Sequence, residues 1–177
     1  MQRISVFDIL KIGVGPSSSH TMGPWRATED FISALRDGDH LPEVRKIGVD
    51  LFGSLAKTGK GHGTDIAVMM GLLGHDPVTC DTALLDGHIQ AVYDDRHLLL
   101  GGDHYLPFDP KTDIHFHFDI TLPRHPNGMT LTAILHSGEE ISGTYFSVGG
   151  GFIERDTDEV GGTIAARVIL LYPCDTA

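Results

Sequence analysis

Two alternating runs in the C-terminal half constrain the fold most. "GMTLTAILH" (128–136) alternates apolar with polar residues, and Ser137-Gly138 marks a turn into "EISGTYFSVGGGF" (140–152). Such a period belongs to strands with one buried face. "DIHFHFD" at 113–119 alternates too, and "TIAARVILLY" at 163–172 reads as a last strand. Earlier in the chain, "KIGVDLF" (46–52) places Ile47, Val49 and Leu51 on one side of another strand.

Helical signals fill the first half. Pro24 suits the first turn of a helix that runs to about Arg36, with Ala27, Phe31, Ala34 and Leu35 on one face and "DGD" as its stop. The glycine-rich "GSLAKTGKGHGTD" reads as a connection, and the apolar "IAVMMGLLG" after it as a short buried helix starting near Thr64 or Asp65. Residues 81–99 read as helical, with "HLLL" at the end. The order predicts an α+β domain of two layers, a mixed β-sheet covered by helices on one face.

Against that frame, "GVGPSSSHTMGP" (13–24) stands out, because a run of Ser17, Ser18, Ser19, His20 and Thr21 packs no core. A glycine- and proline-shaped loop entering a helix offers backbone N–H groups and the positive end of the helix dipole. The added hydroxyls make a cradle for a carboxylate or phosphate, whereas a plain helix cap needs only one of them. Two likenesses fail on spacing. Gly13-x-Gly15 is followed by Ser18 where a dinucleotide fingerprint needs glycine. "GSLAKTGKG" has five residues between Gly53 and Gly59 where a phosphate-binding loop has four, and Gly61 in place of its Ser or Thr.

Further candidates follow along the chain. In "TGKGHGTD", His62 lies between glycines at the entry to a helix, where the backbone approaches a ligand closely and Lys60 and Asp65 can tune the imidazole. "LPRHPNGMT" carries His125 and an Asn127-Gly128 pair that is also a plain turn signal. Gly149 to Gly151 cannot form an ordinary strand, and three glycines signal close backbone approach. His115 and His117 share a strand face with Asp113 and Asp119, which reads as a solvated polar side rather than a metal site.

Composition narrows the partners. The 177 residues carry a net charge of −11 without a Lys/Arg cluster, so neither nucleic acid nor an anionic membrane surface is expected as partner. No run approaches the roughly 20 apolar residues that span a bilayer, and Asp8 and Lys11 interrupt any signal-peptide core, so a cytoplasmic location is expected. Cys80 and Cys174 lie far apart with no Cys or His at metal-finger spacing, so neither a disulfide framework nor a zinc site is suggested.

Taken together, "SVFDILKIGVGPSSSHTMGP", "DLFGSLAKTGKGHGTDIAVMMGLLG", "LPRHPNGM" and "TYFSVGGGFI" resemble the N-terminal β domain of bacterial iron–sulfur-dependent L-serine dehydratase, single-chain type. The resemblance runs from about Ser5 to Tyr172. It implies a β domain over residues 1–172, and at 173–177 the start of a connection to a cysteine-bearing α domain. It implies deamination of L-serine to pyruvate and ammonia with a [4Fe-4S] cluster held by that α domain and by no residue of this chain. On that resemblance His62 or His20 is the catalytic base, and Ser17, Ser18, Ser19, Thr21, Thr64, His125 and Asn127 are substrate-binding. A homodimer is expected, and the fragment alone is expected to be inactive. The same resemblance extends to the allosteric substrate-binding domain of D-3-phosphoglycerate dehydrogenase, which leaves a non-catalytic serine- or anion-sensing module as the rival reading.

Overall fold

The computed structural model describes residues 17–77 and 82–156, with the backbone alone at 82–86. Helix α1 spans Met22–Asp37 and buries Trp25, Ala27, Phe31, Ala34 and Leu35, the face expected from their spacing, with Pro24 in its first turn. It ends where Gly38 caps it and Asp39 adopts a left-handed conformation (φ 57°). A 3-10 turn at Leu41–Glu43 leads into strand β1, Val44–Phe52.

Where the sequence suggests a connection, the chain forms helix α2, Gly53–His62, followed directly by α3, Thr64–Leu72, with Gly63 (φ 74°) as the joint. Packing overrides the poor helix propensity of its glycines. Leu55 and Ala56 are buried, and Gly59 lies so close to Thr64 and Phe116 that a Cβ would come within 3.1 Å of Thr64 Cβ. Side chains also tie successive turns together, as Thr58 Oγ1 donates to the Ser54 carbonyl at 2.9 Å. Helix α4, Thr82–Asp95, stops short of "HLLL". Those residues form strand β2, His97–Leu100, paired with β3, His104–Pro107, across a turn in which Gly101 and Gly102 have positive φ.

A short helix α5, Pro110–Asp113, precedes strands β4, Ile114–His117, β5, Gly128–Leu135, β6, Glu140–Gly149, and β7, Phe152–Arg155. The five-stranded sheet has the order β4-β1-β5-β6-β7. β1 runs parallel to β4 and antiparallel to β5, so the sheet is mixed. The α+β architecture expected from the sequence is therefore present. Ile47, Val49 and Leu51 of β1 join Leu131, Ala133 and Tyr145 in a core against the helices. The expected strand at 163–172 lies outside the described residues, as do Gly13, Gly15 and both cysteines. No helix among the described residues is long and apolar enough to cross a membrane.

On the strand at 114–117 the sequence expectation is half right. His115 and His117 share one partner, Asp50 of β1, whose Oδ1 lies 3.2 Å from His115 Nδ1 and 2.6 Å from His117 Nε2. Asp113 belongs to the preceding helix, where it is buried and accepts from the Asp109 amide, so it does not extend that polar face.

Candidate active site

Four separated segments meet at one end of the sheet, and α2 is the piece that joins them. β1 ends at Phe52, and Gly53 turns the chain with φ 53°, a conformation costly for any side-chain-bearing residue. Its amide donates to Ile120 O, and that of Ser54 to Pro126 O, both at 2.8 Å. The first turn of α2 is thereby locked to the segment carrying His125 and Asn127. A Cβ on Gly53 would stand 2.3 Å from Pro126 O.

The serine-rich segment approaches from the other side. Residues 17–20 form a turn wound into α1: the amides of His20 and Thr21 donate to Ser17 O and that of Gly23 to Ser18 O, each at 3.0 Å. These three amides are thus used internally, and what the segment offers a ligand is side chains rather than those N–H groups. Ser17 Oγ and Ser19 Oγ lie 3.2 Å apart and 3.3 and 3.0 Å from His20 Nδ1. Ser18 is exposed. The opposite ring nitrogen of His20, Nε2, lies 3.1 Å from Ser54 Oγ. Thr21 and Thr64 are buried, and both hydroxyls donate to backbone carbonyls, of Ser17 at 2.9 Å and of His20 at 2.7 Å.

His62 closes α2 and comes face to face with His20, the ring centroids 5.1 Å apart and tilted by 35°. Its Nδ1 sits 2.8 Å from the Thr58 carbonyl. A carbonyl only accepts, so Nδ1 carries a proton, and in the neutral ring Nε2 holds the lone pair. Nε2 has no hydrogen-bond partner among the described residues, and the side chain is partly exposed. His20 is 9% exposed, and burial holds its pKa below the ordinary histidine value. The nearby His62 adds to that, while the Ser54 backbone pulls the other way.

The third segment is equally ordered. His125 Nδ1 accepts from the Asn127 amide at 3.1 Å, which makes Nε2 its proton-bearing nitrogen when neutral. Asn127 Nδ2 donates to Ser147 O at 3.2 Å, and its carbonyl accepts from the Ser147 amide at 2.9 Å. Arg124 next door reaches Glu154 at 3.2 Å and Asp156 at 3.5 Å while its guanidinium lies over the Phe146 ring. The β6–β7 turn completes the set. Gly151 O accepts from Arg26 of α1, and Gly23 fits against Ser147 so closely that a Cβ would meet its Oγ. Close approach is what the triple glycine signals, here by α1.

Sequence reasoning missed Ser54, because it treats residues 53–63 as a loop. Ser54 is the second residue of α2, where its side chain caps nothing, so no helix-start signal in "GSLA" marks it. Among the described residues no group of three or more His, Cys, Asp or Glu is arranged to hold a metal ion.

Hydroxyls and imidazoles from separate segments of this α+β domain thus lie together at one end of the sheet. The chain belongs to the serine dehydratase beta chain family, whose model matches residues 5–158. It is 44% identical to L-serine dehydratase 1 of Escherichia coli over 177 residues, 98% of this chain and 38% of that protein. Likeness to L-serine dehydratase of Streptomyces coelicolor is also 44%, over 98% of this chain and 38% of the relative. For L-serine dehydratase of Mycobacterium tuberculosis it is 45%, over 98% and 36%. The chain spans under two fifths of the length of these relatives.

Proposed function

We propose that this chain supplies the substrate-gripping and proton-transferring half of an L-serine dehydratase, a lyase that converts L-serine to pyruvate and ammonia. The observation that carries the reading is the facing of His20 and His62 beside the Ser17–Ser19 hydroxyls. Serine needs a carboxylate and an ammonium held, its α-proton removed and its hydroxyl expelled. Ser17, Ser18 and Ser19 supply hydroxyls for the two charged groups, and Asn127 and the Nε2–H of His125 supply further polar contacts. His62 is the better placed base of the two histidines, since Thr58 fixes its proton on Nδ1 and leaves Nε2 open. His20, buried and bonded at both nitrogens, is the inner member that orders the serine hydroxyls. Thr21 and Thr64 act on the substrate through the loop whose carbonyls they hold.

Among the described residues no group of three or more His, Cys, Asp or Glu is arranged to hold a metal ion, and Cys80 and Cys174 lie outside them, so no step is routed through the [4Fe-4S] cluster that the resemblance implies. In this reading the cluster sits in a cysteine-bearing α domain. Ile66, Ile120, Val148 and Phe152 are exposed and lie within a few residues of the site segments in sequence, which in this reading offers apolar side chains for that domain to cover. A homodimer and a cytoplasmic location are part of the same proposal.

The test is a coupled pyruvate and ammonia assay. The chain together with its cysteine-bearing α domain is expected to deaminate L-serine anaerobically, and the chain alone to show no turnover. Serine binding without turnover in the complete assembly would instead support the non-catalytic sensing module.

A further inference from the structure

We propose that the cleft between α2, α4 and β4 is a second ligand site, built for a small zwitterionic amino acid with an apolar side chain and separate from the His20–His62 centre.

The cleft has a volume of about 350 Å³. Four polar side chains line it, each from a different helix: Lys60 of α2, Asp65 of α3, Tyr93 of α4 and Lys111 of α5. Its apolar wall is Pro110, Ile114 and Phe116. The lysines call for an anion. Lys46 pairs with Asp113, whereas neither Lys60 nor Lys111 has a carboxylate partner among the described residues. In a chain of net charge −11, two such ammonium groups on one cleft make a local exception to the overall field. Lys60 Nζ lies over the Phe116 ring, 5.0 Å from its centroid, which keeps the charge at the cleft wall. Tyr93 adds a hydroxyl that holds its proton, because burial, then Asp65 and Asp109, push its pKa up. A phenol in that state donates to a carboxylate. Asp65 is the one acidic group of the lining, and it would repel a plain anion. An α-amino acid answers both demands, with its carboxylate for the lysines and Tyr93 and its ammonium for Asp65. Its side chain then has the apolar wall to cover.

The turn of α2 separates this cleft from the centre described above. Ser54, Thr58 and His62 form one row at four-residue spacing, joined by hydrogen bonds, and Ser54 and His62 both meet His20. Lys60 stands two residues from Thr58 and from His62, about 160° round the helix from Thr58.

Isothermal titration calorimetry of the complete protein with L-valine tests the site without any turnover. L-valine is expected to bind. Isovalerate, which lacks the ammonium, and isobutylamine, which lacks the carboxylate, should each bind at least about tenfold more weakly. Lys111→Met and Tyr93→Phe should each weaken L-valine binding about tenfold, and without L-valine both should leave serine turnover unchanged. His62→Ala should retain L-valine affinity within about twofold, as expected for sites without shared partners. Failure of L-valine to bind, equal affinity for isovalerate, or undiminished binding in both Lys111→Met and Tyr93→Phe overturns the proposal. So does loss of binding in His62→Ala, which would put the amino acid in the His20–His62 centre. None of these readouts depends on whether the complete protein deaminates serine.

Discussion

His62→Ala in the complete dehydratase is expected to lower kcat by about 100-fold or more while KM for L-serine stays within a factor of about three. A positioned general base contributes roughly 10²–10⁴ in rate, and its loss falls on the transition state rather than on ground-state binding. The expectation follows from one geometric fact: the Thr58 carbonyl engages Nδ1, so the open Nε2 faces outward with a lone pair. His62→Gln keeps a polar side chain of similar reach without a comparable base and should be nearly as slow. Ser18→Ala should give the opposite division. Ser18 is exposed, and a lost hydrogen bond to a charged substrate group weakens binding about tenfold, so KM rises and kcat changes little. Steady-state kinetics on the two variants separates the roles. If both leave kinetics untouched, the site is misassigned.

Gly53→Ala should destabilise the protein by roughly 3 kcal/mol and lower its Tm by about 10 °C. Two penalties combine. At φ 53° an alanine is in the left-handed region, and its Cβ would lie 2.3 Å from Pro126 O, a backbone atom that cannot swing aside. Relief requires the His125–Asn127 turn to retreat from α2, so activity should fall together with stability. Gly61→Ala in the same helix is the control. A Cβ there meets nothing within 4 Å, and replacing a helical glycine by alanine should stabilise by about 0.5–1 kcal/mol. Calorimetry on the pair distinguishes a specific close contact from a general intolerance of substitution in α2. Equal effects at the two positions would contradict the packing argument.

Much of the fold was legible because its strands and helix α1 obey clean periods. β1 and β5 alternate with an apolar face turned to the helices, and α1 carries its buried residues at helical spacing. The misreadings share one physical cause. In α2, glycines serve contact rather than flexibility: Gly59 admits Thr64 and Phe116, a requirement visible only once the partners are in place. The apolar run "HLLL" fits helix or strand equally, and only its pairing with "HYLP" decides for strand. At the site, the clustering of hydroxyls and an imidazole was legible, since Ser17 to Thr21 stand in one run. Their mutual placement was not. Ser54 joins His20 across 34 positions of sequence, and Asn127 joins Ser147 across 20, distances over which a single sequence carries no contact signal.

The central claim is that separate turns of this chain grip one amino acid together. A crystal structure of the complete dehydratase with L-serine, or with a slowly reacting serine analogue, tests it most directly. The expected result places the α-carbon about 3–3.5 Å from His62 Nε2, with the charged groups against the Ser17–Ser19 hydroxyls and the His125–Asn127 turn. An amino acid bound at the reacting centre with His62 and the Ser17–Thr21 turn remote from it would contradict the account.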